Sequence, residues 1–293
     1  LKNITEIILA KSRGGFRRMK SSQNRIKERE FWDNLSQKER AWIQNTTEAE
    51  IIDKIKSDRR TFEGNEKSSL VHWWEELIGK VKGKKILDIG CGNSYFVTYW
   101  QLTGNEAYGC DFSPETVENN NFLHAKLGLE QNFYVSSAEE IKAESDSLDI
   151  VHMRWTIHHI PEELQDSSIR EMRRVLKPGG RLIVFETNYT YPFRWIVQTP
   201  ILRGFNILRK YAINKGWLDP EEKALTNKGY VDLLKRNGFK IEKIDYDFTF
   251  FRYPVGLLTK NKFMKNFAQN VDYAITKFLP KKFCKDVKII AEK

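Results

Sequence analysis

Asp88, Gly90 and Gly92 form an Asp-x-Gly-x-Gly turn within Ile86-Leu87-Asp88-Ile89-Gly90-Cys91-Gly92, and a second acid, Asp111, follows about twenty positions later. Glycines at such a turn let main chain approach a nucleoside without Cβ clashes. A carboxylate at the end of the following strand can accept hydrogen bonds from both ribose hydroxyls, a charge-assisted contact. An NAD site uses a related pattern, but that fingerprint needs Gly or Ala at its sixth position, where helix and strand pack over the pyrophosphate. This chain has Tyr95 there, and an Asp at the end of the first strand is unusual for that fingerprint. The spacing therefore favours a nucleoside cofactor that is not a dinucleotide.

A second group of reactive side chains lies downstream. His158 and His159 follow an apolar run ending at Met153, and histidine titrates near neutral pH, so either can serve as a general base or shape the loop through hydrogen bonds. Glu186, opening Glu186-Thr187-Asn188, can bind substrate, polarise a water or tie neighbouring loops together. The three cysteines, Cys91, Cys110 and Cys284, form neither a disulfide framework nor a metal-ligand spacing and fit a reducing, cytoplasmic compartment. Cys91 reads as a small side chain beside a cofactor rather than a nucleophile. No metal constellation appears among the five histidines.

The elements that must hold these residues alternate. Lys85 to Ile89, Ala107 to Cys110, Asn132 to Ser136, Leu148 to Met153 and Arg181 to Thr187 read as strands, with helices at Ser94 to Leu102, from Ser113, and at Pro161 to Leu176. Ser113-Pro114-Glu115 has the chemistry of a helix start, and Lys177-Pro178-Gly179-Gly180 reads as a break. A further helix, Thr226 to Asn237 closed by Gly238, leads to strands at Phe239 to Asp247 and Val287 to Ala291. Such alternation implies a parallel sheet with crossover helices. Ahead of it, residues 1–30 form a basic arm, flexible or helical, and residues 31–80 helices that pack over the α/β domain of 81–293. Glu6 and the lack of an apolar core in the arm argue against a secretory signal, while Leu at position 1 fits a start that is missing or processed.

From about Val71 to Ile241 the chain resembles the class I S-adenosylmethionine-dependent methyltransferases, especially the small-molecule group called methyltransferase type 11. The likeness rests on Ile86 to Gly92, Asp111-Phe112-Ser113, Ser136 to Ile141, Asp149-Ile150-Val151, His158-His159-Ile160 and Arg173 to Gly180, in that order. It implies a Rossmann-like, seven-stranded, mostly parallel sheet with helices on both faces, N-terminal helices and helical cap insertions. It also implies S-adenosylmethionine as cofactor, with Gly90 and Gly92 along the methionine portion and Asp88 supporting its ammonium. Asp111 would bind ribose, Phe112 pack on adenine, Ser137 and Ala138 meet the adenine edge, and Arg154 sit close by. Ser137 departs from the Asp commoner at that place.

The formal charge of +10 attracts phosphate-bearing partners or an anionic surface. Nucleic acid is disfavoured, because an Asn/Asp-Pro-Pro-aromatic tetrad is replaced by Met153-Arg154-Trp155-Thr156 and no RNA-binding module is visible. Insertions at about 188–220 and 248–285 are expected to form the pocket for a small-molecule, lipid-like or sugar-containing acceptor methylated at oxygen or carbon. The first carries Tyr189, Tyr191, Phe193 and Trp195 beside Arg194. The second reads as a basic amphipathic helix, which suits either a peripheral membrane contact or, more simply, a cap packed on the core. A catalytically silent scaffold on the same fold remains the third reading.

Overall fold

The computed structural model describes residues 39–56, 78–93, 95–189, 225–247 and 261–293, with Ile26, Arg29, Glu30, 32–34, 36, 37 and Trp74. Most of the arm of residues 1–30 and nearly all of the aromatic and basic residues expected of the first insertion, Tyr189 excepted, lie outside that set. The described strands are β1 (Lys85–Ile89), β2 (Glu106–Asp111), β3 (Phe133–Val135), β4 (Leu148–Arg154), β5 (Leu176–Thr187), β6 (Lys240–Asp247) and β7 (Asp286–Glu292). They form one sheet in the order β3-β2-β1-β4-β5-β7-β6. The first five pair in parallel, and β7 runs antiparallel between β5 and β6. The order reverses between β1 and β4, the place where a parallel sheet opens a crevice at its carboxyl ends.

Among the described residues the helices include α1 (Glu48–Lys56), α2 (Tyr95–Leu102), α3 (Pro114–Lys126), α4 (Glu162–Val175), α5 (Asn227–Arg236) and α6 (Lys262–Thr276). Their ends follow local chemistry. Ser113 accepts from the Thr116 amide to start α3, Thr226 from the Gly229 amide to start α5, and Gly238 takes the left-handed turn just past α5 with φ +85°. On one face of the sheet α4 and α5 cover Leu87, Val151, Leu182 and Ile289. On the other, α2, α3 and the fully buried Trp74 cover Ile86, Ile150 and Ile183. Strands buried on both faces explain the near-continuous apolar runs of β4 and β5.

Residues 39–56 pack against the domain. Ile43, Ile51 and Ile55 are buried against Tyr95 and Leu123, and Lys126 donates to the carbonyls of Ile43 (2.7 Å) and Thr46 (2.6 Å). One boundary differs from the sequence reading. β5 begins at Leu176 rather than Arg181, immediately after α4. Leu176 already pairs with Leu148, and Arg181 next pairs with Ile150, so Lys177-Pro178-Gly179-Gly180 is a bulge inside the strand, turned by Gly179 at φ +74°. A Pro-Gly-Gly run punctuates a chain, yet here it only interrupts pairing.

Candidate functional site

At the carboxyl ends of β1, β2 and β4 lies a cavity of about 520 Å³, within the range usual for small-molecule sites. Its floor is the turn of Gly90, Cys91 and Gly92. Gly90 and Gly92 take φ of +62° and +49°, a conformation L side chains rarely adopt. The turn is gripped from three sides. The Cys91 amide donates to the Cys110 carbonyl at 3.0 Å, the Gly92 amide to Asp111 Oδ2 at 2.9 Å, and Asn120 Nδ2 to the Gly92 carbonyl at 2.7 Å. A Cβ on Gly92 would meet nothing within 4 Å, so bare backbone faces open space there.

Asp111 ends β2 and is buried. Its Oδ1 accepts from the Ser113 amide at 3.0 Å while Oδ2 holds Gly92, which occupies two of about four acceptor positions on a carboxylate. Burial raises this carboxyl to about 6, opposed by the amide donors of Ser113 and Gly92. Cys91 lines the cavity with its thiol raised well above the usual range, first by burial and then by the nearby charges of Asp111 and Asp88. A thiol held protonated is a poor nucleophile.

Beyond β4 the chain turns sharply. Trp155 has φ +51°, uncommon for a bulky residue and typical of a backbone held by its surroundings. The holder is Glu186 at the end of β5. Fully buried, it accepts from the amides of Thr156 (2.7 Å) and Ile157 (2.6 Å) and faces His158 Nδ1 at 2.6 Å. The Thr156 hydroxyl in turn points at the carbonyls of Arg154 (2.9 Å) and Ile89 (3.3 Å), tying the β4 exit to the glycine turn.

The residues preceding β1 complete the cavity. Trp32, Ser36 and Glu39 line it. Ser36 Oγ and Thr116 Oγ1 lie 2.8 Å apart, Asp33 meets the Ser113 hydroxyl, and Tyr95 donates its hydroxyl to Glu39 at 2.6 Å. Trp32 stands edge-on to His159, with ring centroids 5.7 Å apart.

The pattern of the "Methyltransferase domain" family matches residues 87–184. An S-adenosylmethionine-dependent methyltransferase from Mesorhizobium loti superposes with a TM-score of 0.52 at 16% identity, over 75% of this chain and 95% of that one, which shows the shared fold. An uncharacterized methyltransferase of Synechocystis is 30% identical over 162 residues, 54% of this chain and 68% of the relative. The chain belongs to the class I S-adenosylmethionine-dependent methyltransferases. A ubiquinone biosynthesis O-methyltransferase of Xanthomonas euvesicatoria is 29% identical over 112 residues, 38% of this chain and 46% of the relative, so the shared part is less than half of that protein.

This methyltransferase uses S-adenosylmethionine, and its cavity suits that molecule in volume, in the open face of Gly92 and in the spare acceptor positions of Asp111. The cavity brings together Asp88, Gly90, Gly92, Asp111, Phe112, Ser137, Ala138, Arg154 and His159. His158 is not among its lining; it sits behind, 4.1 Å from the His159 ring centroid and paired with Glu186. Asp88 lines the cavity yet turns Oδ1 onto buried His152 Nδ1 at 2.7 Å. Arg154 lies over Trp155 and Phe96, at 4.8 and 5.4 Å from their centroids.

Sequence reasoning missed His152, Trp32, Ser36, Glu39, Trp155 and Thr156. His152 had a signal, since it lies directly opposite Asp88 in the parallel register of β1 and β4, and Trp74, Phe96 and Trp100 ring it at 5.4, 4.8 and 5.4 Å. No local pattern marks Trp32. Among the described residues no group of three or more His, Cys, Asp or Glu could hold a metal ion, and no helix is long and apolar enough to cross a membrane.

Proposed function

We propose that this methyltransferase transfers a methyl group to oxygen or carbon of a small, lipid-like acceptor. The supporting observation is the composition of the cavity. Beside polar backbone and Asp111, its lining includes Trp32, Trp155, His159, Ile160 and Pro161, which offer apolar surface to an acceptor. The similarity to ubiquinone biosynthesis O-methyltransferases favours oxygen as the accepting atom.

When bound, S-adenosylmethionine supplies a sulfonium-activated methyl group, so the protein's work is positioning and the exclusion of water. Gly90 and Gly92 give main-chain access along the methionine portion. Asp111 takes the ribose hydroxyls, Phe112 packs on adenine, and Ser137 and Ala138 border its edge. Asp88, backed by His152, faces the ammonium end, with Arg154 near the same pocket. Trp32, Ser36 and Glu39, from the stretch before α1, act as part of the site, because they line the cavity. Of the two histidines His159 is offered to the acceptor hydroxyl as proton acceptor, and His158 positions it from behind.

The test is turnover with methyl-labelled S-adenosylmethionine against a phenolic or isoprenoid lipid pool, a polar sugar pool and RNA. Label is expected in the lipid pool. His159→Gln is expected to lower kcat about a hundredfold while leaving S-adenosylhomocysteine affinity within about twofold. Label in RNA alone would overturn the acceptor class, and unchanged turnover in His159→Gln would remove the base.

Asp111 gives a pH signature. Its folded value of about 6 exceeds the unfolded 3.8, so its contribution to stability is fully present below pH 3.8 and is lost as pH rises through about 6. Ribose donors favour the charged form, so cofactor affinity runs the other way and weakens in acid. The Kd for S-adenosylhomocysteine is expected to rise about tenfold between pH 7 and 5. Asp111→Asn should bind weakly at every pH without that slope; a flat profile in the native protein contradicts the assignment.

A further inference from the structure

We propose that the exposed aromatic stripe of α6, flanked by lysines, docks this protein on an anionic membrane surface. The helix is started by Asn261, whose side-chain oxygen accepts from the amides of Phe263 (2.9 Å) and Met264 (3.3 Å). It rests on the domain through Ala268 and Asp272, both buried, and through Ile275, which packs with Leu279 and Tyr246 around Cys284. That settles which side faces inward, and it is not the side carrying the large apolar residues. Phe263 is 74% exposed, Phe267 58% and Met264 45%, and Phe278, just past the helix, is 88% exposed. At helical pitch, positions 263, 264 and 267 fall within an arc of about 100°, beside the packed side rather than on it.

Single exposed apolar residues are ordinary, but two phenylalanines and a methionine in one stripe, with a third exposed phenylalanine just past the helix, are not. The sequence that carries them is nearly of one charge. Residues 260–285 include seven lysines, and their single acid is Asp272, which is buried. Lys277 and Lys281 are exposed next to Phe278. An apolar stripe that enters the headgroup boundary, with cations beside it, is the composition of an interfacial helix. A second copy of this chain fits the stripe poorly, since stacking two such faces would bring lysines against lysines.

The placement also serves the reaction. β7 starts at Asp286 opposite Thr187 and Asp247, so α6, which leads into β7, sits at the carboxyl end of the sheet where the cavity opens. The connecting segment is pinned to that end. Asn188 Nδ2 donates to the Cys284 carbonyl at 2.8 Å and Asn227 Nδ2 to the Lys281 carbonyl at 2.7 Å. The stripe is therefore presented on a fixed base, on the same end of the sheet as the site. The sequence alone allows a cap helix packed on the core; the helix does pack, but through Ala268, Asp272 and Ile275 rather than Phe263 and Phe267.

The experiment is co-sedimentation of the full chain with vesicles of phosphatidylcholine alone or with about 30% phosphatidylglycerol, at low and high salt. S-adenosylhomocysteine binding is read on the same samples, so a failure here is separable from a failure of the methyltransferase reading. Binding is expected only with the anionic vesicles, and should weaken at least tenfold in high salt. The triple variant Phe263→Ser, Phe267→Ser, Phe278→Ser and, independently, Lys277→Glu with Lys281→Glu should each lose at least tenfold. Both should keep S-adenosylhomocysteine affinity. Native protein left in the supernatant, or both variants binding like native, overturns the proposal. So does a concentration-dependent dimer that the phenylalanine variant dissolves.

Discussion

Gly90→Ala is expected to reduce S-adenosylhomocysteine affinity at least about a hundredfold, close to 2.7 kcal/mol. The added Cβ would lie 2.3 Å from Thr156 Cγ2 and 2.6 Å from its Oγ1, distances no relaxed side chain tolerates. Thr156 has nowhere to retreat. Its amide is held by Glu186 and its hydroxyl points at the Arg154 and Ile89 carbonyls. The clash must therefore separate the glycine turn from the β4 exit, which are two walls of one cavity, and the left-handed φ of +62° adds backbone strain. Calorimetry of Gly90→Ala alone and combined with Thr156→Gly gives the check. The combined variant should recover at least about tenfold relative to additivity. Binding of Gly90→Ala within about threefold of native, less than 1 kcal/mol, would contradict the described packing.

Glu186→Ala is the second large effect, and it falls on stability first. The carboxylate is fully buried and receives two amides and the His158 ring, with the Tyr230 hydroxyl farther off at 3.5 Å. Truncation leaves buried donors unpaired around the strained Trp155 turn, at a cost of about 3–5 kcal/mol. For a chain of this size that lowers Tm by about 10 °C. Glu186→Gln keeps one acceptor oxygen but turns an amide against donors, so its Tm should fall between alanine and native. Thermal unfolding with and without S-adenosylhomocysteine measures both. A Tm for Glu186→Ala within about 2 °C of native would show that the loop does not depend on this carboxylate. The sequence left Glu186 open between substrate contact and loop tie, and its bonds are those of a loop tie.

Much of this fold is legible because its signals are local. The strands announce themselves as apolar runs, α3 by Ser113-Pro114-Glu115 and α5 by Thr226 and Gly238, and apart from the start of β5 the ends agree to within a residue or two. Gly90, Gly92 and Asp111 are likewise fixed by a turn and the next strand end. Reading Lys177 to Gly180 as the stop of a helix misses the bulge, since a Pro-Gly-Gly run has the same composition whether it follows a helix or loops out of a strand. What stayed hidden depends on distance. His152 meets Asp88 only through the β1–β4 register, and Trp32 reaches His159 from a stretch whose Ser36 and Arg40 are bonded to α3. In α6 the spacing of phenylalanines reveals a stripe but not which side packs. That is decided by Ala268, Asp272 and Ile275 meeting the domain.

The measurement that bears most directly on the central claim is titration of the full chain with S-adenosylhomocysteine near neutral pH, repeated on Asp111→Ala. One molecule should bind per chain with a micromolar Kd, and the variant should lose at least about a hundredfold, or 2.7 kcal/mol. Absence of binding to the native protein at millimolar ligand, or equal binding by Asp111→Ala, would contradict a cofactor site built on this turn and carboxylate.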